Sequence, residues 1–526
     1  MGIEIKNMEL IIKTEDCIMN WKKNHIKYIL ITMIFGIIVY FMMISENLVS
    51  SYDGIWNTSH LIAGAWETSL GRGLLHYIDK VRAGVVSVPF NTILTLLIIS
   101  VTSALLMDFY AIENKKLAML VSLLLIANPV VCNTLSYCFT SVGYGMAFLF
   151  SVLSAKCICG GRRITGILLG AIFLAMSLGC YQAYFGVTCL LLLLQMMKML
   201  LDCDSVRRVI EFLIKGILAI IVGGIFYSIM SNVLLKKYGV ELATYRGASE
   251  VSVGRIMALL PASIQLCYKD FYGFCVRSRM GITVFDKIIT LIGGIGILIF
   301  VCAIRHCLAL WRKSKVYALC FLACICLVPV ACNAVVLLIA GGMSILMSMG
   351  MVVGVALVPE IMLSIDGRSG FLLRKVGYIL LFLLLWVNIL TVEKDQLALK
   401  EGRTATVQLA DSVIESLIVD GYLEDGAPIA FVGKPCENDM FAKRPAWKSA
   451  NGYARFGDWW TGGANNRRSW SGVLVECCGI QLNLCSGEKY DEMRETGVFS
   501  EIPIFPAEGS IKEIDGVIVV KISEAY

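Results

Sequence analysis

Long apolar runs alternate with short polar stretches along most of the chain. A bilayer core about 30 Å thick needs roughly 20 apolar residues per helix. Runs of that length lie near residues 27–45, 86–107, 117–134, 137–155, 164–180, 182–201, 213–235, 286–310, 316–340, 342–364 and 371–391. The pattern predicts a polytopic α-helical membrane protein with about eleven transmembrane helices. Residues 1–26 precede the first of them, and residues 27–391 form the transmembrane unit.

Three segments are too long for simple connections. In the loop 46–85, Trp56, His60, Leu61, Trp66, Leu70, Leu74, Leu75 and Ile78 recur mostly at three- to five-residue steps. That spacing predicts an amphipathic helix on the outer membrane surface. Asp53, Glu67, Arg72, His76, Asp79, Lys80 and Arg82 lie close to it. The segment 236–285 carries Tyr238, Tyr245, Arg246, Arg255, Tyr268, Lys269, Asp270, Tyr272, Arg277 and Arg279. Its basic character suits either an anionic headgroup or plain interfacial anchoring.

The third segment, 392–526, changes character. Glu393 to Val419 reads as a long helix, and Ile429 to Gly433 as a strand ending in a turn. Val517 to Ile522 reads as a second strand. Between them, 458–463 and 469–472 read as loops whose Trp459, Trp460 and Trp470 either meet an acceptor or belong to the core. These features predict a small extracytoplasmic α/β domain.

Charge orients the chain. Lys22, Lys23, Lys27, Lys115, Lys116, Lys156, Arg162, Arg163, Arg207, Arg208, Arg312, Lys313, Lys315, Arg374 and Lys375 all fall on one side if the N-terminus is cytoplasmic. The opposite short loops near Asn133, Gly179 and Gly341 lack Lys and Arg. An odd number of spans then places the C-terminus outside. The first span reads as a retained anchor in the cell membrane rather than a cleaved signal.

Composition narrows the class further. Hydrophobic residues make up 57% and charged residues 16% of the chain, which excludes an ordinary soluble domain. The net charge of +6 reflects the cytoplasmic loops and does not argue for nucleic acid. The 20 cysteines lie mostly in spans or cytoplasmic loops. Cys302, Cys307, Cys320, Cys324, Cys326 and Cys332 lack His or carboxylate partners in metal spacing, so they read as small apolar residues. Outside, Cys436, Cys477, Cys478 and Cys485 are numerous enough for one or two disulfides, with the pairing open. No P-loop, nucleophile elbow or zinc-protease motif occurs. Gly293-Gly294-Ile295-Gly296 lies inside an apolar run, where helix packing explains it.

The chemistry concentrates on the outer face. Asp53 follows the first span, and Gly71-Arg72-Gly73 sits in the same loop. Asn128-Pro129, Tyr137, Tyr144 and Tyr181-Gln182 reach the same side at a similar depth. Tyr52-Asp53-Gly54, Gly71-Arg72, Pro129, Ser136-Tyr137, Tyr144 and Tyr181-Gln182-Ala183 resemble the type II Gtr family of O-antigen serotype-converting glucosyltransferases, within the GT-C superfamily. The helix from Leu397 through Ala410 and Asp411 to Ile414, the strand to Gly433, and Phe505-Pro506 to Lys521 extend the resemblance over nearly the whole chain. The chain departs from many relatives in having one aspartate here and Gly73 after Arg72.

The resemblance implies transfer of a sugar, expected to be glucose, from a polyprenyl-phosphate donor to a surface glycan, with inversion. Such a displacement needs a base for the acceptor hydroxyl and cations for the departing phosphate. Asp53, with Glu67 as second carboxylate, suits the first role. Arg72, Lys80 and Arg82 suit the second. Trp56, Tyr137, Tyr144, Tyr181 and Gln182 suit contacts to sugar and acceptor. No cofactor or metal is implied, although a divalent ion remains compatible. Expected partners are membrane lipid, a donor-lipid synthase and a flippase. A flippase of lipid-linked sugars, or a scaffold of an envelope complex, are the competing classes. The first predicts repeated halves with midplane charges, the second no joining of Asp53 to Arg72.

Overall fold

The computed structural model describes residues 25–51, 53–110, 112, 114–161, 163–244, 253–275, 286–339, 341–364, 368–424 and 426–524. Lys22, Lys23, Tyr52, Arg162, Tyr245, Arg246, Arg277 and Arg279 lie outside them. Helices α1 (His25–Val39) and α2 (Phe41–Ser45) lead into a loop holding three short helices, α3 (Asp53–Trp56), α4 (Ala65–Ser69) and α5 (Leu75–Val81). The bundle continues with α6 (Val88–Phe109), α7 (Lys115–Ile126), α8 (Pro129–Ser136), α9 (Cys138–Gly160), α10 (Arg163–Cys180), α11 (Phe185–Leu201) and α12 (Val206–Tyr238). It is completed by α13 (Val253–Cys275), α14 (Asp286–Lys313), α15 (Lys315–Cys332), α16 (Val336–Ile339), α17 (Met349–Met362) and α18 (Arg368–Val419).

Among the described residues, seven helices are long and apolar enough to cross a membrane. The protein is therefore a polytopic membrane protein. The other four expected spans fall on the bent pair α7–α8 and on the shorter apolar helices α1, α10 and α17. The bend between α7 and α8 is 41°. Its freed backbone groups are satisfied by side chains, as a break inside a membrane requires. Asn128 accepts from Val131 N at 3.0 Å and donates to the carbonyls of Leu124 and Leu125, each at 3.0 Å. Tyr40 donates to Ile126 O at 2.9 Å.

The first loop is not one amphipathic helix. Gly64, Gly71 and Gly73 break it into α4 and α5, and Gly71 sits at φ +74°, a left-handed conformation that ends a helix. An isolated pairing of His60 with Val85 ties the loop's two sides together.

Helix α18 runs 52 residues without a break, about 78 Å at ~1.5 Å per residue. The expected boundary at 391/392 therefore lies inside a helix. Beyond that point Gln396 donates to Val39 O at 2.8 Å, and Lys400 pairs with Glu46 at 2.9 Å. Asp395 accepts from Asn451 N, Asn451 Nδ2 and the Tyr453 hydroxyl. One continuous apolar cluster reaches from Val39 through Trp459 and Trp470 to Ile522, so the C-terminal segment packs on the bundle.

That segment holds a three-stranded sheet in the order β1-β3-β2, from β1 (Ile429–Val432), β2 (Ile511–Ile514) and β3 (Val517–Lys521). β1 and β3 are parallel and fully buried. The β2–β3 hairpin turns at Asp515-Gly516, both at positive φ, which suits the twist of the strands. Residues 469–472, read as a loop, instead end helix α20 (Gly463–Gly472), preceded by α19 (Pro445–Ser449) and followed by α21 (Gly487–Glu495). Trp459 and Trp470 are core residues, only Trp460 of the three is exposed, and Trp470 stacks on Phe431 at 4.5 Å. Burial of these rings supplies the packing that the small and polar residues of α20 do not. Cys436, Cys477, Cys478 and Cys485 are free thiols. Burial pushes the Cys436 and Cys478 thiols up to about 12.

Candidate functional site

The site begins with a pinned backbone turn. At Gly71 an added Cβ would meet the Tyr227 hydroxyl at 2.3 Å and Gln182 Nε2 at 2.8 Å. Tyr227 donates to Gly71 O at 3.1 Å, and Gln182 donates to Leu70 O at 2.8 Å and to the Tyr227 hydroxyl at 3.0 Å. Arg72 N donates to Glu67 O at 2.9 Å, and Leu74 N to Gly179 O at 3.1 Å. The turn thus rests on α12 and on the α10–α11 corner. It launches Arg72 from a fixed backbone. Gln182 holds the turn rather than a sugar in this arrangement. Tyr227 was not foreseen; its one signal was a phenol closing the apolar stretch 216–226 of α12.

The Arg72 guanidinium lies over the Tyr181 ring, 4.6 Å from its centroid. Its Nη1 reaches the Tyr144 hydroxyl at 3.4 Å. Tyr144 and Tyr181 are themselves stacked, with centroids 4.2 Å apart and planes at 17°. An aromatic platform under a guanidinium fixes its plane by cation–π attraction. Tyr144 feels the charges of Arg72, Asp53 and Glu67, which places all four in one neighbourhood.

Asp53 opens α3. Ser50 N donates to Ser136 O at 3.0 Å, which fixes the chain just before it against the end of α8. On the other flank, Trp56 Nε1 donates to Ser469 Oγ at 3.0 Å, and Ser469 donates to Ser51 O at 3.4 Å. Gly472 packs so closely that an added Cβ would lie 2.8 Å from Ile55 O. Asp53 keeps an exposed side chain, yet protein surrounds it closely. That desolvation pushes its carboxyl above the usual aspartate range; Arg72 and Arg468 pull it back, and Glu67 pushes it up. Among the described residues its carboxylate accepts no hydrogen bond.

The remaining predicted residues separate. Glu67 is half-buried and its Oε2 accepts from Gly64 N at 2.8 Å, so it caps α4 while lending charge to the site. Arg82 is buried against Asp79, with Nη2–Oδ1 at 2.8 Å, and it also donates to Val85 O and Phe139 O. With these donors engaged, Arg82 is not placed to hold a donor phosphate. Lys80 stands exposed on α5. Tyr137 is half-buried where α8 meets α9. His76 Nδ1 lies 2.8 Å from both Ala63 O and the Tyr238 hydroxyl, a structural contact. In the second segment, Tyr268, Lys269 and Tyr272 are exposed along α13, while Asp270 accepts from Met343 N at 2.8 Å.

Arg468, on α20, also escaped the sequence reading. Its guanidinium lies 5.6 Å from the Trp56 ring centroid. No local pattern set it apart from the other lysines and arginines of residues 392–526.

Apolar helices thus frame a carboxylate and a platform-bound guanidinium, a base and a cation in one neighbourhood. No curated protein and no solved structure matches the chain. The model of one family, glucosyl transferase GtrII, matches residues 40–358, which hold Asp53, Glu67, Arg72, Tyr144, Tyr181, Gln182 and Tyr227. That match covers well over half of the chain, and the protein belongs to this family of glucosyltransferases.

Proposed function

We propose that this glucosyltransferase moves glucose from a polyprenyl-phosphate donor to a surface glycan at the outer membrane face, with inversion at the anomeric carbon. An acceptor hydroxyl oxygen attacks that carbon and gives its proton to the Asp53 carboxylate. The bond from the carbon to the phosphate oxygen breaks, and the electron pair leaves with polyprenyl phosphate. Arg72 holds that phosphate, Trp56 and Tyr137 offer faces to sugar rings, and Glu67 tunes the field around Asp53. Lys80 adds positive charge at the rim. Guanidinium groups carry the positive charge, so the proposal calls on no metal and no other cofactor.

The observation that carries this reading is an open carboxylate beside a guanidinium held on two stacked tyrosines. A base must be within hydrogen-bond reach of an incoming hydroxyl, and among the described residues the Asp53 carboxylate accepts no hydrogen bond that would have to be displaced. The Lys/Arg asymmetry supports a cytoplasmic N-terminus. Eleven crossings would be the seven long helices, the bent pair and the three shorter apolar ones. The C-terminal α/β segment would then lie outside as an extracytoplasmic unit, in reach of the glycan. A donor-lipid synthase and a flippase would deliver the donor to that face. Basic α13 would lie near anionic headgroups.

Purified protein offered radiolabelled polyprenyl-phosphate sugars and a glycan acceptor tests the reading. Label is expected to pass from polyprenyl-phosphate glucose to acceptor. Transfer from a nucleotide sugar with none from the lipid donor would overturn it.

A further inference from the structure

The residues around Asp53 come from two distant parts of the chain, and the far part lies beyond the matched residues 40–358. Helix α20 sits directly on α3. Trp56 Nε1 donates to Ser469 Oγ across 413 residues of sequence, and Gly472 leaves no room for a side chain against Ile55. This contact carries Arg468 to the rim of the site. The side chain is exposed, and its guanidinium lies 5.6 Å from the Trp56 ring centroid. Among the described residues it closes no ion pair and donates no hydrogen bond. Two other arginines of the region are engaged internally: Arg82 on Asp79 and two carbonyls, Arg403 on Glu46 and its backbone.

An arginine stacked on an aromatic ring is oriented, and its five donors stay available for a phosphate or carboxylate. Its charge reaches Asp53 from a different chain segment than that of Arg72. Two cations flanking one base suit a donor whose phosphate must be gripped and whose departing negative charge must be stabilised. We infer that Arg468, delivered by the C-terminal helix α20, is a second phosphate-binding residue of the donor site, partnering Arg72 across Asp53. This rests on the polyprenyl-phosphate reading above and assigns the C-terminal segment a part in donor binding. The shared chemistry is an anionic phosphate, carried by a lipid or free in solution.

The test uses the full-length protein in lipid nanodiscs, with a short-chain polyprenyl monophosphate as probe and inorganic phosphate as the second arm. Loss of a charge-assisted contact at a solvent-reachable site should weaken probe binding about tenfold in Arg468→Ala, with Arg468→Lys in between. In transfer assays the donor KM should rise more than kcat falls. The acid limb of the rate profile should also move to higher pH, because a cation that favours ionised Asp53 is gone. Arg467→Ala, which removes the neighbouring exposed positive charge, should bind probe like wild type and separates Arg468 from net charge. Equal probe affinity in wild type and Arg468→Ala would overturn this role while leaving the donor assignment standing. A wild-type protein that binds no polyprenyl monophosphate would overturn both. Competition by inorganic phosphate at equal concentration would show that the anion alone, not the lipid, is recognised, and would still support Arg468 if the variant lost it.

Discussion

Two aspartate–arginine pairs share the first loop, and they have opposite fates. Asp79 and Arg82 are three residues apart on and just after α5, buried and joined at 2.8 Å. Asp79 also accepts from Ala63 N at 2.8 Å, and Arg82 donates to two carbonyls. Asp53 and Arg72 are far apart in sequence, Asp53 placed by the packing of α3 on α20 and Arg72 by the turn at Gly71 and by Tyr144 and Tyr181. Arg72 lies on an aromatic face and Asp53 faces outward. The difference lies in saturation. A pair whose hydrogen bonds are all used internally holds a loop together. A carboxylate that accepts no hydrogen bond among the described residues, beside a guanidinium resting on an aromatic face, keeps capacity for a substrate, at the cost of the desolvation seen at Asp53.

The comparison breaks first at Asp53. Asp53→Asn should insert and bind donor yet lose roughly 100- to 10,000-fold in transfer rate, the usual contribution of a general base. Near-normal transfer by a well-expressed variant would end the base assignment. The matching change in the other pair should act on folding instead. Asp79→Ala leaves Arg82 buried without its carboxylate and should cost about 3–5 kcal/mol. Thermal unfolding in detergent reads it, and protein that survives at low temperature should keep its donor KM.

A smaller effect is expected at Arg72. Arg72→Ala removes a phosphate contact and should weaken donor use about ten- to a hundredfold, seen in KM for the lipid donor. The smallest effect concerns pH. Transfer requires ionised Asp53, so the rate falls as pH drops through its pKa, which burial sets above the ordinary aspartate range. Glu67 raises that pKa, so Glu67→Gln should move the acid limb to lower pH, whereas Arg72→Ala should move it to higher pH. A pH profile with no movement in either variant would separate Asp53 from both charges.

Legibility in the sequence followed the range of the interaction. The apolar segments were readable because hydropathy is a sum over neighbouring residues, and each expected span lies on an apolar helix or helix pair. β1 and β3 were readable for the same reason, as short runs of apolar and β-branched residues. β2, Ile-Lys-Glu-Ile, lacked such a run, although Asp515-Gly516 marked its hairpin. Helix α20 hid behind Gly, Asn and Ser, because what holds it is the burial of Trp470 against Phe431. Asp53 and Arg72 stood out as charges beside a span, which local pattern can show.

Sequence alone therefore determined a polytopic membrane protein, a long first loop with its carboxylates and arginines, and two strands near the C-terminus. Tertiary structure alone decided that Arg82 is spent on Asp79 while Arg72 rests on Tyr181, that Glu67 caps its own helix, and that Tyr227 and Arg468 join the site. The reason is physical: hydropathy and turn propensity act between neighbours, whereas hydrogen-bond saturation depends on which distant surfaces meet, here α3 and α20 across 413 residues.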